Sequence, residues 1–279
     1  MRNTYYMDDS VQLPGGLMLE DGAPLRDVLL RPLSGSEEDW LAHHPRTPSA
    51  PAVTRLLGSC LARSDGTPLG QDLARRLLVG DRDYLMLQLR RLTLGERVSA
   101  ALACPACSAR MDVDFNAGDV PVEWRPQQEA TYTMTIGREA TARRQVRYRL
   151  PTGADQEAVL RLNGPEAVDM LFSRCLLDDG GVALTPDERT TVIDVMEELA
   201  PRLDLELDVT CPECGHSFEV PFDTTAFFLA EIRGSRQQLL REVHILAFYY
   251  HWSEADILDL PRERRRSYLS LLSDALRQD

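Results

Sequence analysis

Apolar positions recur along the chain with two periods, close to 3.6 in some stretches and close to 2 in others, and the switches between them divide it. Residues 1–24 carry Pro14-Gly15-Gly16 and Asp21-Gly22 turns around the short apolar stretch LMLE, which predicts an N-terminal arm or a strand pair. PLRDVLLRPL is strand-like, and Ser34 followed by Glu37 gives a capping-box pattern into a short helix bearing Trp40. The spacing predicts helices over 52–62 and 71–78, then a longer one from Asp81 with Leu85, Leu89 and Leu92 on one face, stopped by Gly95.

Period-two alternation then takes over in ERVSAALA and MDVDF, and again in LDLELDV and FEVPF, which predicts β-hairpins at about 96–116 and 203–222. The insert between them, about 120–202, holds two strand candidates, ATYTMTIG and ARRQVRYRL. Helices follow over Asp155–Leu162, Pro165–Leu177 and Thr185–Leu199, the last with Pro186 at its first position. From Thr224 onward the pattern is purely helical: Leu239, Val243, Leu246 and Tyr250 recur at helical spacing, Ser253 caps a short helix ending at Pro261, and PRERRRSYLSLLSDAL forms the last helix. The expected fold class is α+β: mixed helices and short antiparallel strands in a body over 25–232, followed by an α-helical C-terminal module over 233–279.

Composition narrows the function. The 279 residues carry a net charge of −13, the wrong sign for a protein that lives on nucleic acid or anionic lipid. All 31 basic residues are arginine, a pattern that GC-rich coding explains most simply. Residues 233–279 hold 8 arginines against 7 acids, so the rest of the chain carries nearly all the negative charge. There is no apolar run of membrane-spanning length and no signal-like start, which gives a soluble, cytoplasmic expectation.

The six cysteines divide cleanly. Cys60 and Cys175 stand alone in apolar helix-like stretches and read as core thiols. The other four form two matching pairs, Cys104-Pro105-Ala106-Cys107 and Cys211-Pro212-Glu213-Cys214, each at the tip of a predicted hairpin. When LACPACSARMDVDF is set beside VTCPECGHSFEVPF, Met111, Val113 and Phe115 align with Phe218, Val220 and Phe222. A structural zinc takes four ligands in a closed tetrahedron, and each tip supplies two. The 103 residues between Cys107 and Cys211 impose a closure cost of roughly 4 kcal/mol. Structural zinc contributes about 10–16 kcal/mol, which outweighs that cost. One split zinc ribbon holding one Zn2+ per chain is therefore expected, with Cys104, Cys107, Cys211 and Cys214 as ligands. The competing readings are thioredoxin-like redox chemistry, substitution of one ligand by His216, and a ribbon that keeps its shape without metal.

Other candidates are weaker. Arg143, Gln145, Arg147 and Arg149 share one face of a predicted strand, either solvated or a landing strip for an acidic partner. Phe248, Tyr249 and Trp252 lie near the turn of the C-terminal helices, where aromatics either bind a partner or pack internally. Arg262, Arg264, Arg265 and Arg266 form a mixed-charge run that reads as a solvated helix face rather than a DNA reader. No H-E-x-x-H, glycine-rich phosphate loop or nucleophile elbow occurs, so nothing points to an enzyme.

The order LLRPLSGSEEDWL, LLVGDRDYLMLQLRRLTLGERV, CPxC hairpin, YRLPTGADQEAVL, CPxC hairpin resembles the T-even-type baseplate hub assembly chaperone family of myophages and phage-tail-like contractile injection systems. The tail EVHILAFYYHWSEADILDLPRERRRSYLSLL is similar to a small helical protein of the same clusters. The resemblance implies a non-enzymatic assembly or structural role, with other baseplate hub or inner-tail proteins as partners. A zinc-ribbon regulator binding nucleic acid is the alternative.

Overall fold

Alternation of apolar residues near the N-terminus creates a strand that needs a sheet, and the fold supplies one. A computed structural model describes residues 9–126, 129–137, 143–203 and 205–278. Strand β1 (Asp9–Met18) pairs antiparallel with β2 (Pro24–Leu30), and β2 pairs with the two-residue β3 (Leu61–Ala62). Val11, Leu13 and Leu17 enter the largest core cluster beside Val28 and Leu30. From Asp9 onward the stretch is thus the strand pair rather than the arm, with Val11 and every residue from Leu13 to Leu17 buried.

Helices α1 (Gly35–His43), α2 (Ser49–Cys60) and α3 (Gly70–Arg76) pack on this sheet around α4 (Val79–Leu94). Ser34 and Glu37 close the capping box at α1 as the spacing requires. The single apolar face expected on α4 is only part of the picture: Gly80, Asp81, Arg82, Leu85, Met86, Leu87, Leu89, Arg90 and Thr93 are all buried. Its charged residues are buried because backbone groups pair with them. Asp81 accepts the N–H groups of Gly15 and Gly16 at 2.7 and 2.9 Å. Arg82 donates to the carbonyls of Ala50 and Ala74 and to the Thr54 hydroxyl. Gly80 is required for close approach, since a Cβ there would lie 1.7 Å from the Pro201 carbonyl oxygen.

Strands β4 (Arg97–Ala103) and β5 (Arg110–Asn116) form the first hairpin. The insert opens with β6 (Val122–Glu123), continues through β7 (Tyr132–Ile136), β8 (Arg144–Tyr148), α5 (Gly153–Ala158), α6 (Pro165–Cys175), β9 (Leu176–Asp178) and α7 (Pro186–Leu199), and returns at β10 (Arg202–Leu203). Val146, Tyr148, Phe172, Cys175, Val192 and Met196 give it a core of its own. Its two ends are clamped together where β10 pairs with β6, Leu203 opposite Val122. The segments GDRDY and LPTGADQ meet at its root: Val79 donates to the Pro151 carbonyl, Gly153 to that of Leu77, and Gly153 lies against the Arg82 guanidinium.

The second hairpin, β11 (Glu206–Thr210) with β12 (Ser217–Pro221), leads into α8 (Thr224–Gly234), α9 (Arg236–Tyr250), α10 (Glu254–Leu258) and α11 (Arg262–Gln278). Leu239, Leu246 and Ile257 are buried, and Gly35 donates its N–H to the Leu260 carbonyl at 3.1 Å. The arginine run 262–266 is not wholly a solvated face. Arg262 and Arg265 are buried against Glu38 and Glu242, leaving Arg264 and Arg266 exposed. Among the described residues no helix is long and apolar enough to cross a membrane.

Candidate metal centre

The two cysteine hairpins are built alike. Leu102 pairs with Met111 in the first and Val209 with Phe218 in the second, as the sequence alignment requires. At each tip the first cysteine donates its N–H across the turn, Cys104 to Ala109 and Cys211 to His216, both at 2.9 Å. Its carbonyl accepts from the residue after the second cysteine, Ser108 or Gly215, again at 2.9 Å. Those two residues adopt positive φ, 61° and 71°. The turn thus demands a left-handed residue, which Gly215 supplies without cost and Ser108 supplies against its Cβ.

The hairpins meet tip to tip. Cys104 Sγ lies 3.7 Å from Cys214 Sγ, and Cys107 Sγ lies 3.7 Å from Cys211 Sγ. All four sulfurs fall within 4.8 Å of one another and none is in a disulfide. For thiolate–zinc bonds of ~2.3 Å, a tetrahedron has edges of about 3.8 Å, so this donor set fits a closed four-sulfur site. The first cysteine of each pair is buried and the second exposed. Apolar packing holds the arrangement: Met111, Leu207 and Val209 are buried beneath it, and the rings of Phe115 and Phe222 meet edge-on at 5.2 Å.

Electrostatics favour a cation here. Burial alone raises the Cys104 thiol, but the N–H groups of Cys107 and Ala106 and the adjoining thiols outweigh it and bring it down to about 7. Cys107 receives the Ala109 N–H, yet the Cys214 thiol, desolvation and the other two thiols push it up to about 12. Four sulfurs this close cannot all ionise unless positive charge is shared among them.

The competing chemistry lacks a setting. Both pairs lie between antiparallel strands rather than at a helix start, the position that activates redox C-x-x-C thiols. The His216 ring stacks on Phe218 at 5.8 Å, and the ligand group consists of the four cysteines. Cys60 and Cys175 are buried in other cores, and burial pushes Cys175 up to about 11.

The remaining candidates scatter. Arg143 and Arg147 are exposed, whereas Arg149 turns inward to Asp155 at 2.6 Å and is not part of a free basic face. Phe248 and Tyr249 are at the surface, while Trp252 is half-buried against Tyr250 and Tyr268. The sequence patterns do not point to Ser108 or Ile245, and Leu240, which adjoins the apolar stripe of the C-terminal helices in sequence, is exposed. Only the alignment of Ser108 with Gly215 held a signal for the first.

The family described as T4 bacteriophage base plate protein matches residues 27–230. No curated protein and no solved structure matches the chain. The matched range holds α4, both cysteine hairpins and the whole insert. This chain therefore belongs to the T4 bacteriophage base plate protein family.

Proposed function

We propose that the protein is a non-enzymatic assembly or structural component of a contractile, phage-tail-like injection system. It works in baseplate hub or inner-tail assembly through protein–protein contacts. The observation that carries this reading is the family match over residues 27–230, a span that includes every residue of the cysteine site. The chaperone-like role and the hub or inner-tail partners rest on the resemblance of LLVGDRDYLMLQLRRLTLGERV and YRLPTGADQEAVL to the hub assembly chaperones.

The four cysteines hold one structural zinc in this reading. Thiolates select it over calcium or magnesium, and four of them leave no position open for a reacting water. The metal supplies a cross-link between segments on either side of the insert. The partner surface is assigned to Phe248 and Tyr249, with Arg143 and Arg147 as a second exposed patch. Duplex DNA is a poor fit, since Arg262 and Arg265 are committed to buried carboxylates.

Elemental analysis of purified protein tests the metal: one zinc per chain is expected, two would rule out a shared site, and none would rule out zinc. Cross-linked pull-down from cells building the apparatus, compared with finished particles, tests the role. Recovery of baseplate or inner-tail proteins is expected, and their absence would overturn it.

A further inference from the structure

Helix α9 is apolar on two sides. Leu239 and Leu246 pack inward, yet Leu240, Ile245, Phe248 and Tyr249 are 46 %, 36 %, 65 % and 46 % exposed. A surface helix ordinarily turns polar residues outward, and a contiguous exposed apolar patch marks an interaction site. The exposed positions of α9 also carry no acid. Its one carboxylate, Glu242, is buried against Arg265, whereas Arg241 is exposed.

A cavity gives this face its charge preference. Gln238, Ile245 and Tyr249 are spaced seven and four apart, which puts them on one side of α9. Gln238 also lines an open cavity of about 450 Å³ together with Arg90, Arg262, Arg266 and Glu231. Arg90 is bonded to Glu231 and Arg262 to Glu38. Arg266 remains exposed, with no carboxylate bonded to it among the described residues. The ridges 240–244–248 and 241–245–249 follow the i,i+4 rows of the helix, and the groove between such rows accepts a ridge of another helix.

Resting on the base-plate reading, we infer that this face binds an amphipathic helix of another base-plate protein. The partner's apolar stripe covers Ile245, Phe248 and Tyr249, which fall within one side of α9, and an Asp or Glu beside that stripe enters the cavity at Arg266. A second copy is disfavoured because two chains of net charge −13 repel, and an anionic membrane is disfavoured for the same reason.

The test uses the full chain with p-benzoylphenylalanine in place of Phe248, irradiated in cells building the apparatus, with the cross-linked peptide sequenced by mass spectrometry. The expected peptide has apolar residues at helical spacing flanked by Asp or Glu. Arg266→Glu is expected to cut its yield about tenfold with the circular dichroism spectrum unchanged, and Arg in place of the mapped acid on the partner to restore it. Cross-links only to this chain, to lipid or to an acid-free peptide would overturn the inference, as would no cross-link or no effect of Arg266→Glu. An acidic helix from a protein outside both the base plate and the inner tail would sustain the surface and overturn the proposed function instead.

Discussion

Arg265 and Glu38 lie 2.8 Å apart with both side chains withdrawn from solvent, although they are 227 positions apart in the chain. Glu38 also takes Arg262 at 2.5 Å, and Arg265 also takes Glu242 at 2.8 Å. Two carboxylates and two guanidinium groups thus close a neutral cluster that joins the last helices to α1. Removing one member of such a cluster leaves a buried charge without its partner, at a cost of ~3–5 kcal/mol. Arg265→Ala is expected to lower stability by about that amount in urea unfolding. Arg264→Ala, one residue away on the exposed side, is expected to stay within about 0.5 kcal/mol.

The two cysteine turns make opposite expectations for the same backbone position. Ser108 holds φ 61° with a side chain that disfavours it, so Ser108→Gly is expected to stabilise the folded protein by about 0.5–1 kcal/mol. Gly215→Ala is expected to destabilise by about 1 kcal/mol for the same reason. Thermal melts of the two variants, read side by side, check the pair.

Cys107 and Cys211 come from different hairpins yet lie 3.7 Å apart. Serine at either position is expected to lower the melting temperature by a similar amount, and serine at both by much less than the sum, because one shared site is lost only once. If only one single substitution mattered, the hairpins would not share a metal.

At Gly80, in the first turn of α4, the returning insert approaches so closely that an added Cβ would lie 1.7 Å from the Pro201 carbonyl oxygen. Gly80→Ala puts a methyl group into the Pro201 carbonyl, a backbone atom that cannot rotate away. A loss of ~1–3 kcal/mol or more is expected, with the insert's own core showing the earliest loss of amide protection in hydrogen exchange.

Asp81 gives the pH dependence a definite sign. Desolvation outweighs the N–H groups of Gly15 and Gly16 and pushes its carboxyl up to about 7. The folded state therefore binds a proton that the unfolded state has released, so stability falls as pH rises from about 4 to about 7. Asp155 works the other way: although burial opposes it, Arg149 and the Thr152 N–H hold it well below the usual carboxylate range. Its contribution is lost only as pH falls below the unfolded carboxylate value, about 4. Burial likewise pushes the Asp83 carboxyl up to about 6 against its Thr225 hydrogen bond. Asp81→Asn is therefore expected to reduce the fall in stability between pH 4 and 7 and abolish its part above about 6, while leaving the acid limb in place.

The cysteine hairpins, the principal helices and the alternation of β7 and β8 follow from local residue patterns. Each of these depends on local spacing: period two around a C-P-x-C turn, capping residues such as Ser34, Thr185 and Ser253, and apolar repeats near 3.6. The pairing of two distant C-P-x-C motifs was legible because four thiols form a complete set and two do not. The rest depends on contacts between segments far apart in the chain. β3, β6, β9 and β10 are two or three residues long, too short for any periodicity, and exist because a neighbouring strand meets them. Burial of Asp81, Arg82, Arg265 and Glu38 contradicts the usual exposure of charged residues, and only backbone groups or partners far along the chain could make it affordable. The count of cysteine ligands is a property of composition, whereas the partner of a buried charge is a property of the fold.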